Sequence, residues 1–186
     1  MGGFDLENGA TLETWIAPNW AKSPEEDPCI FSLLEDGATV LAVHVDNELN
    51  YIGLRSGNSY GGYSVDIDPS VLNHLAVATF GGYWDVYWNG EPSGMIALPV
   101  LSAQADELVV GGCGAEDQSY IGWISNFRLW NTIVFWDDVY AFMPVTTNIL
   151  DEGHPMQPFI RAMTRIHENG TPYITTLNGV TAEQEQ

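Results

Sequence analysis

Residues 74–90, His74-Leu75-Ala76-Val77-Ala78-Thr79-Phe80, then Gly81-Gly82-Tyr83, then Trp84-Asp85-Val86-Tyr87-Trp88-Asn89-Gly90, decide the fold. Alternation puts Leu75, Val77 and Thr79 on one face of a strand and His74, Ala76, Ala78 and Phe80 on the other. Asn89-Gly90 is the dipeptide that accepts positive φ at both central positions of a type I′ turn, so it closes a hairpin. The same text repeats outward in both directions. Thr11–Ile16, Cys29–Leu34, Thr39–Val45, Leu49–Leu54 and Tyr63–Ile67 precede it as strand candidates. Gly94–Leu98, Glu107–Val110 and Gly122–Trp130 follow it. Asp36-Gly37, Asp46-Asn47 and Ser56-Gly57-Asn58 mark turns between them. Many short strands spaced by turn signals predict an all-β sandwich or barrel.

The chain has 186 residues, a formal net charge of −20 (5 Lys+Arg against 25 Asp+Glu), 45% hydrophobic and 12% aromatic residues. That length buries a core without disulfides or metal, and that apolar content argues against disorder. So acidic a surface repels phosphate backbones, and Arg55, Arg128, Arg161, Arg165 and Lys22 are scattered, so no nucleic-acid partner is expected. No apolar run reaches the roughly 18 residues of a membrane span. MGGFDLENGATLETW lacks a basic start and an apolar core, so the expectation is a soluble chain with no membrane insertion and no secretion signal. Acids this dense destabilise the compact state at low salt, whereas molar salt shortens the Debye length to about 3 Å. A saline working medium explains the composition; solubility alone also does. Cys29 and Cys113 lie in no CxxC or Cys/His spacing; they are two buried thiols or one disulfide, with buried thiols favoured.

The character of the chain changes after Trp130. Trp136–Met143 has acids at its start and helical apolar spacing, which predicts one short helix closed by Pro144. Residues 144–186 carry Pro144, Pro155, Pro158 and Pro172 and form a C-terminal arm rather than an independent domain. Phe159–Ile166 and Pro172–Leu177 are expected to form a hairpin around Glu168-Asn169-Gly170. The arm docks on its own sandwich or reaches a neighbouring chain.

Three ordered segments resemble a known family. Ala10–Pro18 (ATLETWIAP) resembles the "sFTIEaWVkP" strand of laminin-G-like, or concanavalin A-like, jelly-roll domains. Asn73–Thr79 with Trp84–Gly90 resembles their central "W-H-h-A-v-t … v-x-l-Y-v-N/D-G" hairpin. Gly122–Asn131 resembles their closing "G-x-I-D-e-V-R-I-W/Y-N" strand, and Asp137-Asp138-Val139 the helical turn after it. The resemblance implies a two-sheet antiparallel jelly-roll over residues 1–143. The family's first strand is nearly missing, so residues 159–177 are expected to fill that edge. Ser125 replaces the Asp usual in the closing strand, which argues against a calcium role there.

The fold also hosts glucanases, whose paired carboxylates lie on one strand as E-x-D-x-x-E; retention needs them about 5–5.5 Å apart. No such spacing occurs. Asp66 and Asp68 share a face but are followed by Pro69 and read as a strand end or turn. His44, His74, His154 and His167 fit no catalytic or metal motif, and no enzyme is expected. No cofactor is required. Calcium is the ligand the resemblance implies, and Asp46, Asn47 and Glu48 in one loop with Glu116 and Asp117 in another are its candidate ligands. For a glycan or a protein partner the candidates are Tyr60, Tyr63, Tyr83 and Trp84, in glycine-rich turns that leave rings accessible. Trp15, Trp88, Trp123 and Trp130 lie within strands and are assigned to the core.

Two functions are consistent with these features. One is a structural component of an assembly, with other protein subunits or copies of itself as partners. Its expected place is a virion surface, as a capsid-decoration or tail-associated protein of a tailed virus from a saline habitat. The other is a carbohydrate-binding, lectin-like module, calcium-dependent through the loops above, at an extracellular or cell-surface location.

Overall fold

The computed structural model describes residues 4–6, 9–18, 27–99, 104–113, 119–130, 132–134, 160–162, 165–167 and 173–176. Its strands in chain order are β1 (Phe4–Asp5), β2 (Ala10–Pro18), β3 (Cys29–Glu35), β4 (Ala38–Val45), β5 (Tyr51–Ser56), β6 (Ser59–Ser64), β7 (Asn73–Phe80) and β8 (Tyr83–Trp88). They continue with β9 (Glu91–Ala97), β10 (Gln104–Ala105), β11 (Glu107–Val110), β12 (Gly122–Trp130), β13 (Ile160–Ala162), β14 (Arg165–His167) and β15 (Tyr173–Thr176). The first large sheet runs β15-β11-β3-β4-β5-β6. The second runs β13-β12-β2-β7-β8-β9, with β14 also on β12. Every ladder within them is antiparallel. The molecule is an all-β jelly-roll sandwich. The helix expected over 136–143 lies outside the described residues.

Local chemistry sets the turns. Asn89 and Gly90 have φ of 51° and 84°, and Asp36 and Gly37 have 49° and 78°, the type I′ signature that matches hairpin twist. Alternation sets the core. Ile16 and Leu12 of β2, Leu75 and Val77 of β7, and Val86 of β8 meet Leu33 of β3, Val43 of β4 and Ile52 of β5 between the sheets. Phe31 and Phe127 bridge the two layers edge to face, with ring centroids 5.4 Å apart.

The arm behaves differently from the expected hairpin. β13 and β14 both pair with β12, and β15 pairs with β11 in the opposite sheet, so among the described residues of 159–177 the two halves do not pair with each other. The reason is the sandwich itself: β11 and β12 would otherwise present rows of unpaired N–H and C=O groups, and the arm supplies a partner to each. The short β1 pairs with β10 rather than with a large sheet. Asn126, with φ of 51°, makes a bulge in β12 between Ser125 and Arg128.

Cys29 and Cys113 are joined in a disulfide with Cα atoms 5.6 Å apart, which corrects the expectation of buried thiols. Spacing along the chain carries no signal for a bridge that spans 84 residues; sheet register brings the partners together.

Candidate functional site

Among the described residues, the outward face of β5 and β6 carries a candidate site. Register places Tyr51 opposite Ser64, Gly53 opposite Gly62 and Arg55 opposite Tyr60. Ile52 and Leu54, of the other parity, are core residues, so Tyr51, Gly53, Gly62 and Tyr60 face out. The Tyr51 and Tyr60 rings stack with centroids 6.4 Å apart and planes 25° apart. Their floor is the glycine pair. A Cβ at Gly53 would collide with the Tyr60 hydroxyl, and one at Gly62 would lie 2.6 Å from the Tyr51 ring and strike the Ile52 carbonyl oxygen. Only glycine lets both rings lie along the sheet. Tyr60 keeps 54% of its surface exposed.

Acids border the stack. Partial burial raises the Tyr60 phenol to about 12, and Asp27, Tyr51 and Asp46 add to the rise. Tyr51 is raised too, by burial and then by Tyr63. Both hydroxyls therefore stay protonated donors at neutral pH. Asp46 Oδ1 accepts hydrogen bonds from the backbone N–H of Asn50 (2.7 Å) and Tyr51 (2.8 Å), which fixes the loop leading into β5. The N–H of Asn47 donates to Asp27 Oδ1 at 3.2 Å, and Asn50 Nδ2 donates to Glu48 Oε2 at 3.2 Å. The carboxylates of the 46–48 loop thus organise a turn beside the tyrosines. Glu116 and Asp117 lie outside the described residues.

The four aromatic candidates do not converge. Tyr60 belongs to the stack. Tyr63, of opposite parity, points toward β9, where its hydroxyl donates to the Met95 carbonyl at 2.5 Å. Tyr83 is exposed on the outer face of the second sheet, paired in register with exposed Phe80. Trp84 is a correction: it is 1% exposed, in the core, and its Nε1–H donates to the Leu98 carbonyl at 3.0 Å. Trp123 is the converse correction, assigned to the core but 42% exposed. Tyr60 and Tyr63 also lie in a strand rather than a turn, because β6 begins at Ser59. Asp66 and Asp68 follow β6 outside any strand; Asp68 Oδ1 accepts from Ser70 N–H (2.8 Å) and Oγ (2.6 Å), which lowers its carboxyl below the usual range.

Tyr51, Asp27 and the glycine floor were missed by sequence reasoning. Their signal is the pattern Tyr51-x-Gly53 facing Tyr60-x-Gly62 across the Gly57-Asn58 turn. A second unforeseen feature is a charged cluster on the opposite outer face. Arg128 Nη1 donates to Glu13 Oε1 at 2.6 Å, His74 Nε2 lies 3.1 Å from the same oxygen, and Trp130 Nε1 donates to Glu13 Oε2 at 3.3 Å. Residues 132–134 help cover this face: Val134 N–H donates to Thr11 Oγ1 at 2.8 Å, and Val134 packs with Ala76, Ala78, Tyr87 and Trp130. Burial of the cluster gives it a structural task.

The chain belongs to the concanavalin A-like lectin/glucanase superfamily, whose model matches residues 2–139. Its fold is similar to that of a heptameric SAP-like pentraxin from Limulus polyphemus, at 18% identity and a TM-score of 0.62, covering 96% of this chain and 87% of that one. It is also similar to a putative carbohydrate binding protein from Bacteroides ovatus, at 15% identity and a TM-score of 0.61. There it covers 95% of this chain but only 55% of the other, so this chain spans about half of that protein. The extracellular region of zebrafish Gpr126/Adgrg6 is a third relative in fold, at 22% identity and a TM-score of 0.59, covering 86% of this chain and 23% of that one. No curated protein matches the sequence.

Proposed function

We propose that this chain is a non-catalytic carbohydrate-binding module whose ligand stacks on the Tyr51–Tyr60 face. The observation that carries this reading is the Tyr51–Tyr60 ring pair, with planes 25° apart, laid over Gly53 and Gly62. The exposed Tyr60 ring suits the apolar face of a pyranose, while the two phenol hydroxyls and the carboxylates of Asp27 and Asp46 suit its hydroxyls. The putative carbohydrate binding protein of the same fold supports the class of ligand. Calcium, if it takes part, binds the loop of Asp46, Asn47 and Glu48, where the second carboxylate oxygen of Asp46 is the first ligand, or else the separate loop of Glu116 and Asp117. The Cys29–Cys113 disulfide supports an extracellular or cell-surface location.

The test is a glycan-array screen of the intact chain, followed by calorimetry with and without calcium. Saturable binding that weakens about tenfold or more in Tyr60→Ala supports the reading. Binding unchanged in Tyr60→Ala and Tyr51→Ala refutes it.

A structural role in an assembly, such as a virion surface in a saline habitat, has its own support. Phe80, Tyr83 and Met95 are exposed together on the outer face of the second sheet, and the composition is strongly acidic. Light scattering at low and molar salt tests it: salt-dependent oligomers that dissolve in Phe80→Ser favour the assembly, and a monomer in both media refutes it.

A further inference from the structure

We propose that Cys29, Cys113 and His44 form a Zn²⁺ site in the dithiol form of this protein. Cys29 of β3 is the cross-strand partner of His44 of β4. Cys113, just beyond β11, reaches the same spot. The two sulfurs and a ring nitrogen of His44 all lie within 4.8 Å of one another, and all three residues are buried.

The orientation of the imidazole is the second observation. His44 Nδ1 lies 3.3 Å from the backbone carbonyl oxygen of Asp27. A carbonyl only accepts, so the neutral ring carries its proton on Nδ1 and its lone pair on Nε2. Nε2 faces Cys113 Sγ at 3.8 Å. A backbone carbonyl holding one nitrogen so that the other is left basic is the arrangement that orients histidine for a metal.

The donor set fits a soft tetrahedral cation. Zinc–sulfur bonds of about 2.3 Å and zinc–nitrogen bonds of about 2.0 Å put tetrahedral donors about 3.5–3.8 Å apart. Sulfurs released from their mutual bond separate toward that spacing by rotation about Cα–Cβ. Two thiolates cancel the charge of one Zn²⁺ beside a neutral imidazole, so the loaded cluster carries no net charge, as its burial requires. The fourth position is left to water.

The chemistry balances with a phosphine as reductant. The phosphine cleaves the S–S bond and becomes phosphine oxide; water supplies its oxygen and the protons of the two new thiols. Zn²⁺ then replaces both thiol protons, which pass to solvent. The disulfide and the metal are thus alternative closures of the same three side chains.

The experiment reduces the full chain with a water-soluble phosphine, removes the phosphine anaerobically, and titrates Co²⁺ as a visible probe before displacing it with Zn²⁺. The expected result is one equivalent of Co²⁺ bound with tetrahedral ligand-field and thiolate charge-transfer bands, two protons released, and full displacement by Zn²⁺. Oxidised protein shows no such bands. His44→Asn weakens the affinity about 10- to 100-fold, and Cys29→Ser removes the two-thiolate spectrum. If the reduced chain loses its β-sheet circular dichroism, Zn²⁺ must restore it. Reduced chain that gives no thiolate–cobalt bands, failure to refold with Zn²⁺, equal binding by oxidised protein, or unchanged affinity in His44→Asn each overturns the proposal.

Discussion

Glu13 Oε1 accepts a 2.6 Å hydrogen bond from Arg128 Nη1, and both side chains are buried on the outer face of the second sheet. β2 and β12 are neighbours, and Glu13 and Arg128 are register partners across them. A buried charge that loses its partner is left desolvated, so Glu13→Ala is expected to destabilise the fold by about 3–5 kcal/mol. Urea titration of the single variant measures it. Replacing Glu13 and Arg128 together with Leu and Met is expected to recover only part of that loss, because the ion pair is removed as a unit while His74 and Trp130 still lose Glu13 as their acceptor.

The glycine floor predicts a split between two small substitutions. The Cβ of Gly53→Ala meets the tip of the Tyr60 side chain, which swings aside, so stability changes little while glycan affinity falls. The Cβ of Gly62→Ala meets the Ile52 carbonyl, which cannot move alone, so overpacking costs about 1–3 kcal/mol. Melting curves and glycan titrations on both variants separate the two effects.

Tyr60 gives a pH dependence of known sign. Its phenol is raised from 10.0 to about 12 in the folded chain. The folded state therefore holds the proton more tightly, and its contribution to stability is fully present below pH 10 and is lost as pH rises to about 12. Tyr60→Phe is expected to remove a phenolate that appears near pH 12 by ultraviolet absorbance and to flatten the loss of stability across that window.

Trp84 and Tyr60 are expected to behave oppositely. Trp84→Ala removes a core side chain and its hydrogen bond to Leu98, at a cost of about 3–5 kcal/mol. Tyr60→Ala is expected to leave the melting temperature almost unchanged and to lose binding. Calorimetric melting beside glycan titration checks both.

Alternation and turn chemistry in the sequence reach as far as β7, β8 and the Asn89-Gly90 turn, because a period of two and a positive-φ dipeptide are local properties. They do not reveal which face is inside. Trp84 shares parity with Val86 and Trp88 and goes in, whereas Trp123 shares parity with Ser125 and goes out. Parity alone treats the two alike. The Tyr51–Tyr60 stack was hidden because Gly61-Gly62 suggests a turn where β6 runs straight through. The disulfide, the Glu13–Arg128 pair and the attachment of β13, β14 and β15 depend on partners far apart in the chain, where local patterns are silent.

The placement of β13, β14 and β15 has a consequence for biosynthesis. Each sheet is closed by a segment that is synthesised after all of that sheet's other strands. Until residue 176 has emerged, β11 and β12 lack the outer neighbours that the finished chain gives them, and a nascent molecule offers two templates to its siblings on a polysome. Crowded synthesis is therefore a condition under which the open edges of sibling chains meet before their own partners arrive.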